Sequence, residues 1–207
     1  MNLKVVWNNL ASKFTGDNDL INELLSEIET SYTSPPRYYH NFCHLEKMIR
    51  MALLHTNRLL DPDTIMFSIF YHDLVYDPQR NDNEQNSAVM AQKALLKMGV
   101  PGNQIMKCQN QILATKDHNT RDDNDTNYLI DFDLAILGDS PENYRGYSRN
   151  IRKEYHMFNN LLYNKGRSKV IRHFLERKRI YNTGWFNENY ELQARENLKT
   201  ELETLKD

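Results

Sequence analysis

Apolar residues recur at three- and four-residue spacing along nearly the whole chain, the period that gives an α-helix one apolar stripe. Leu20, Ile21, Leu24, Leu25 and Ile28 make one such stripe, and Leu45, Met48, Ile49, Ala52 and Leu53 make another. Further stripes fall at 65–70, 88–98, 105–114, 128–137, 155–163, 170–175 and 192–205. The sustained apolar–polar alternation of a half-buried strand is missing. The punctuation agrees with helices. Asp17 or Asn18, Asp61 before Pro62, and Ser140 before Pro141 have the chemistry of N-caps. Gly99, Gly138 and Gly166 each follow a stripe, where a glycine just past a helix end is expected. Pro35-Pro36 excludes helix at Ser34. The pattern predicts an all-α fold of about nine or ten helices in one compact domain over 1–207.

Composition narrows the class. The chain has 207 residues with only 7 glycines and 6 prolines, too few for a turn-dense β-sandwich or a disordered tract. Lys and Arg number 26 against 28 Asp and Glu, a net charge of −2, so no global positive field invites a nucleic-acid polymer or an anionic membrane. Cys43 and Cys108 cannot build a disulfide framework. No run approaches the roughly 20 apolar residues of a membrane span, and the start of the chain lacks a signal-peptide core. These features point to a cytoplasmic protein.

The candidate chemistry lies in histidines and aspartates set among apolar residues. His72-Asp73 in FSIFYHDLVYD is expected inside a buried helix, where both groups are costly unless hydrogen-bonded or bound to a cation; a self-satisfied core pair is the bland alternative. In RYYHNFCHLEKMI, Asn41 suits an N-cap, which puts His44 in the first helical turn, while His40 lies just outside it and ranks second. Asp131 and Asp133 in YLIDFDLAILG lie about 200° apart around a helix, so one faces a site and the other faces elsewhere. Imidazoles and carboxylates from three helices suit a divalent ion such as Mn, Fe, Ni, Co, Zn or Mg. Glu84 is a candidate general base, with an N-terminal glutamate favoured by the helix dipole as the alternative. His118 could extend the site, and Lys116 and Arg37 are the best candidates for holding a phosphate. The later basic residues, Lys165 to Arg179, read as a solvated helix face, and His55, His156 and His173 read as structural. The acidic run at Asp122, Asp123 and Asp125 lacks the glycine and the closing glutamate of a calcium loop.

The order His…His-Asp…Asp on successive helices resembles the HD superfamily of metal-dependent phosphohydrolases. The phrases YYHNFCH, FYHDLVYD, NEQNSA, ATKDH and DFDLAILG resemble a bacterial branch of predicted hydrolases, over about residues 32–202. The resemblance implies a motif-bearing core at about 32–140 with helices of 141–207 packed on it. It implies His44, His72, Asp73 and Asp133 as metal ligands, Asp131 as a supporting group, and His40 and His118 as groups that could serve a second ion. The activity implied is hydrolysis of a small phosphorylated molecule, nucleotides included, by a metal-activated water, with Asp73 and Glu84 catalytic. A non-catalytic metal- or nucleotide-binding module and a di-iron oxygenase are the alternatives. A C-terminal stripe at Leu192, Leu198, Leu202 and Leu205 could pair two copies as a homodimer.

Overall fold

The computed structural model describes residues 1–205, and among these the regular structure is entirely helical. Ten α-helices follow in order: α1 Leu3–Ala11, α2 Asn18–Thr33, α3 Phe42–Leu54, α4 Pro62–Tyr71, α5 Asn83–Lys97, α6 Gly102–Ala114, α7 Asn124–Leu134, α8 Pro141–Glu154, α9 Asn160–Glu176 and α10 Gly184–Thr204. The predicted caps act where expected. Asp17, Asn41, Asp61 and Ser140 each accept a backbone N–H from the first turn of their helix. Gly99 ends α5 at φ +75°, with its own N–H on the Leu96 carbonyl and the Val100 N–H on the Leu95 carbonyl. That double return is the glycine-terminated helix end in which a side chain would be strained. Ser34 leaves α2 in an extended conformation ahead of the two prolines.

Two expectations are corrected. Gly166 lies inside α9 rather than beyond a helix, because α8 stops at Glu154 and Asn159 starts a new helix by accepting from the Leu162 N–H. The 155–163 stripe therefore spans the connecting turn and the first residues of α9. The His72-Asp73 pair does not sit within a helix either. Tyr71 is the last residue of α4, His72 caps it, and Asp73 belongs to the turn that follows.

The chain divides into two compact units, Met1–Leu129 and Ile130–Asp207, the division falling within α7. In the first unit α4 is the central element. Thr64 through Tyr71 are all buried, and the helix packs on α3, α5 and α6. A helix enclosed on every side has no need of a polar face. Its two hydroxyls are absorbed locally: Ser68 Oγ donates to the Gln111 side chain at 2.6 Å, and Thr64 Oγ1 to Asp61 at 2.6 Å. Trp7 of α1 closes one end of this core. Its ring meets Phe70 edge-on at 5.2 Å, and its Nε1–H donates to the Ile21 carbonyl at 3.0 Å. The acidic run rejected as a calcium loop works for the fold. Buried Asp125 accepts from the Leu60 and Asp61 N–H groups at 2.8 and 2.9 Å and from Lys107 at 2.7 Å.

In the second unit α10 packs on α8, α9 and the 3-10 turn Ala135–Gly138. Gly138 permits that approach, since a Cβ there would meet the Tyr190 carbonyl at 2.7 Å. Buried Arg167 donates Nε and Nη2 to the two carboxylate oxygens of Glu201, each at 2.9 Å, and Ser148 and Tyr144 donate to the same carboxylate. Of the C-terminal leucines, Leu198 is buried within this unit while Leu192 is 75% exposed, so they do not form one free stripe.

Candidate metal centre

His44 is the third residue of α3, held there by the Asn41 cap, whose Oδ1 accepts the Cys43 N–H at 2.9 Å. His72 closes α4, and its Nδ1 lies 2.9 Å from the Ile69 carbonyl. A carbonyl can only accept, so Nδ1 carries a proton and Nε2 is the nitrogen turned to the cluster. That Nε2 lies 3.2 Å from His44 Nε2 and 3.1 Å from Asp73 Oδ2, and His44 Nε2 is 4.0 Å from the same oxygen. Both imidazoles are nearly sealed, with side chains 2% and 1% exposed, whereas the Asp73 side chain is 18% exposed.

The cluster brings two imidazole nitrogens and a carboxylate oxygen together. A carboxylate oxygen 3.1 Å from a buried imidazole nitrogen is favoured by positive charge between them, which a ring proton or a bound cation supplies. Two of the three spacings, 3.2 and 3.1 Å, suit a shared ion, since two donors about 2.1 Å from one cation, at angles between octahedral and tetrahedral, are about 3.0–3.4 Å apart; the 4.0 Å between His44 and Asp73 is wider than that. Nitrogen and carboxylate donors without thiolate fit a divalent ion of borderline to hard character. Asp133, in the last turn of α7, is half-buried and belongs to the second unit.

The remaining predicted residues take varied positions. His40 stacks on Tyr76 with ring centroids 4.2 Å apart and lies 5.9 Å from the His44 ring, beside the cluster rather than in it. Glu84 is in the first turn of α5, and Lys116 lies 3.7 Å from its carboxylate. The Lys116 ammonium also donates to the Asn81 carbonyl and lies 3.3 Å from the Gln85 side-chain oxygen. His118 follows α6 in a left-handed conformation, φ +54°. Asp131 is fully buried and accepts from the Asn182 N–H, the Thr183 N–H and the Thr183 hydroxyl at 2.7–2.8 Å. Burial pushes its carboxyl up to about 7, against those three hydrogen bonds, which favour the anion. Its contacts tie down the segment leading into α10.

Arg37 donates to the carbonyls of His40, Asp73 and Leu74 at 3.1, 2.7 and 2.8 Å, so its guanidinium is engaged by backbone.

Sequence reasoning missed the groups that brace the turn carrying Asp73. Buried Ser87 accepts the Val75 N–H at 3.0 Å, and Asn83 accepts the Asp77 N–H and returns a hydrogen bond to the Asp77 carbonyl. Both lie in the NEQNSA phrase, whose clustered short polar side chains at the start of a helix were the available signal. Tyr39, 4.9 Å from the His44 ring, and Tyr76 supply aromatic neighbours that their spacing did not distinguish from core. No helix among the described residues is long and apolar enough to cross a membrane. Comparison of the chain with family models, with curated proteins and with solved structures gives no match.

Proposed function

We propose that this protein is a metal-dependent hydrolase of the HD type, acting on a small phosphorylated molecule, nucleotides included. The single observation that carries the reading is the buried pair of imidazoles, Nε2 to Nε2 at 3.2 Å, with the Asp73 carboxylate 3.1 Å from one of them. His44, His72 and Asp73 would hold the ion, with Asp133 as the fourth donor. When bound, a divalent ion supplies a Lewis acid that makes water a better nucleophile and offsets charge on a phosphoryl oxygen.

The chain's own residues do the rest. His72 keeps one tautomer because Ile69 holds its Nδ1 proton, so the ring need not reorganise when a cation is bound. Asp73 is the least enclosed of the three donors in the first unit and is the group that meets water. Its carboxylate takes the proton of the attacking water, a role that requires reach to solvent as well as to the ion. The Glu84–Lys116 pair offers a cation to the phosphoryl group under attack and a carboxylate to pass a proton to the departing alcohol oxygen.

The test is a release assay for phosphate and nucleoside over panels of nucleotides, cyclic dinucleotides and phosphomonoesters, with Mn²⁺, Co²⁺, Ni²⁺, Zn²⁺ or Mg²⁺ added. Turnover by the wild type that disappears in Asp73→Ala supports the reading. Equal release by the two proteins across every panel refutes it.

A further inference from the structure

The two histidines belong to different helices, and something must set their register. His44 follows the 37–41 segment, and His72-Asp73 follow α4; one side chain spans both. Arg37 Nη1 donates to the His40 carbonyl at 3.1 Å and to the Asp73 carbonyl at 2.7 Å, and Nη2 donates to the Leu74 carbonyl at 2.8 Å. The guanidinium carbon lies 4.9 Å from the centre of the Tyr32 ring and 5.5 Å from that of Tyr76. The same segment is anchored to α3 through Asn41, whose Nδ2 donates to the Tyr38 carbonyl at 3.0 Å while its Oδ1 caps the helix.

We propose that Arg37 is a positioning residue that locks the backbone of the His40–His44 segment to that of the His72–Asp73 turn and so fixes the distance between the two imidazoles. The inference rests on the metal-site reading above for its functional meaning, although its geometry does not. The Asp73 and Leu74 carbonyls just past the end of α4 and the His40 carbonyl ahead of α3 are reached together by the flat fork of donors, and the negative end of α4 favours the cation. A lysine has the charge but concentrates its donors on one atom, so it cannot span the same three oxygens. Three of the five guanidinium N–H groups are committed to backbone carbonyls, so the assignment replaces the phosphate role that the sequence suggested.

The experiment compares wild type, Arg37→Lys and Tyr76→Leu, the last removing one ring from the guanidinium without touching its donors. Two quantities are read on each: the imidazole ¹⁵N signals of His44 and His72 in metal-free protein, and the Co²⁺ dissociation constant with its visible absorption spectrum. In Arg37→Lys the ring signals of both histidines shift, and Co²⁺ binds about 10–100-fold more weakly, the usual cost of losing a group that orients metal ligands. A purely structural arginine lowers the melting temperature and leaves both readouts at wild-type values; that result overturns the proposal. If Arg37→Lys does not fold, Tyr76→Leu is held to the same two outcomes with a smaller shift. If the wild type binds no Co²⁺, the metal reading falls, and the ring signals of the metal-free proteins still decide whether Arg37 sets the register.

Discussion

His72 and His55 provide a matched pair for testing what the cluster does. Both are buried, at 1% and 4% exposure, and both place Nδ1 on a carbonyl of their own helix, Ile69 at 2.9 Å and Met51 at 2.8 Å. They differ in what faces Nε2: for His72 it is a second imidazole and a carboxylate. A site that binds a cation in the folded state stabilises that state by about 2.7 kcal/mol when the ion is present at 100 times its dissociation constant. For a chain of this size each kcal/mol moves the melting temperature by about 2–4 °C, so saturating ion should raise it by about 5–11 °C. The assay is thermal unfolding followed by circular dichroism, with Mn²⁺ or Co²⁺ added and then withdrawn with EDTA. Wild type should show the rise. His55→Ala should melt lower, from loss of buried packing, yet show the same increment. His72→Ala should show none. An equal increment in His72→Ala and wild type, or no increment in wild type, would refute the idea that these imidazoles share an ion.

Three further substitutions test the second unit. Glu201→Ala strands the buried Arg167 guanidinium and should cost about 3–5 kcal/mol in urea unfolding, the range for breaking one side of a buried ion pair. Burial pushes the Glu201 carboxyl upward, but Arg167, Tyr144 and Ser148 together hold it below the ordinary carboxylate range. Its stabilisation is therefore complete above the unfolded value, about 4.3, and is lost as pH falls through the lower folded value. An acid titration of stability should be shallower in the variant over that window, and an unchanged slope would contradict the assignment. Gly138→Ala places a methyl 2.7 Å from the Tyr190 carbonyl and 2.8 Å from the Tyr181 hydroxyl, and should cost about 1–3 kcal/mol by the same urea measurement. Gly166→Ala, with nothing within 4 Å, should instead be neutral or stabilising.

The local signals in the sequence are reliable wherever the controlling interaction spans one turn. Asn41 is both cap and signal, and it alone puts His44 in the first turn of α3. The same holds for Asp61 ahead of Pro62 and for Gly99 at the end of α5. The signal weakens where two readings share a composition. The apolar run through Phe70 and Tyr71 predicts helix equally well to either side of His72, and only the packed structure shows α4 ending there. Arg37 next to a tyrosine-histidine run reads as an anion ligand because an exposed arginine is one, but its three carbonyl partners come from residues 40, 73 and 74. Asp131 and Asp133 differ by two positions, and periodicity says only that they diverge; the Asn182 and Thr183 amides decide which way Asp131 points.

By itself, then, the sequence determined that the chain is helical, where most of the helices begin, and which residue types could bind a cation, because periodicity, capping and donor chemistry act within a few residues of each other. The tertiary structure decided which of those donors meet. An imidazole is a ligand only if its second nitrogen points at the other donors, and that direction is set by the packing of α3 on α4 and by the hydrogen bonds that lock the His72 ring and the turn after it.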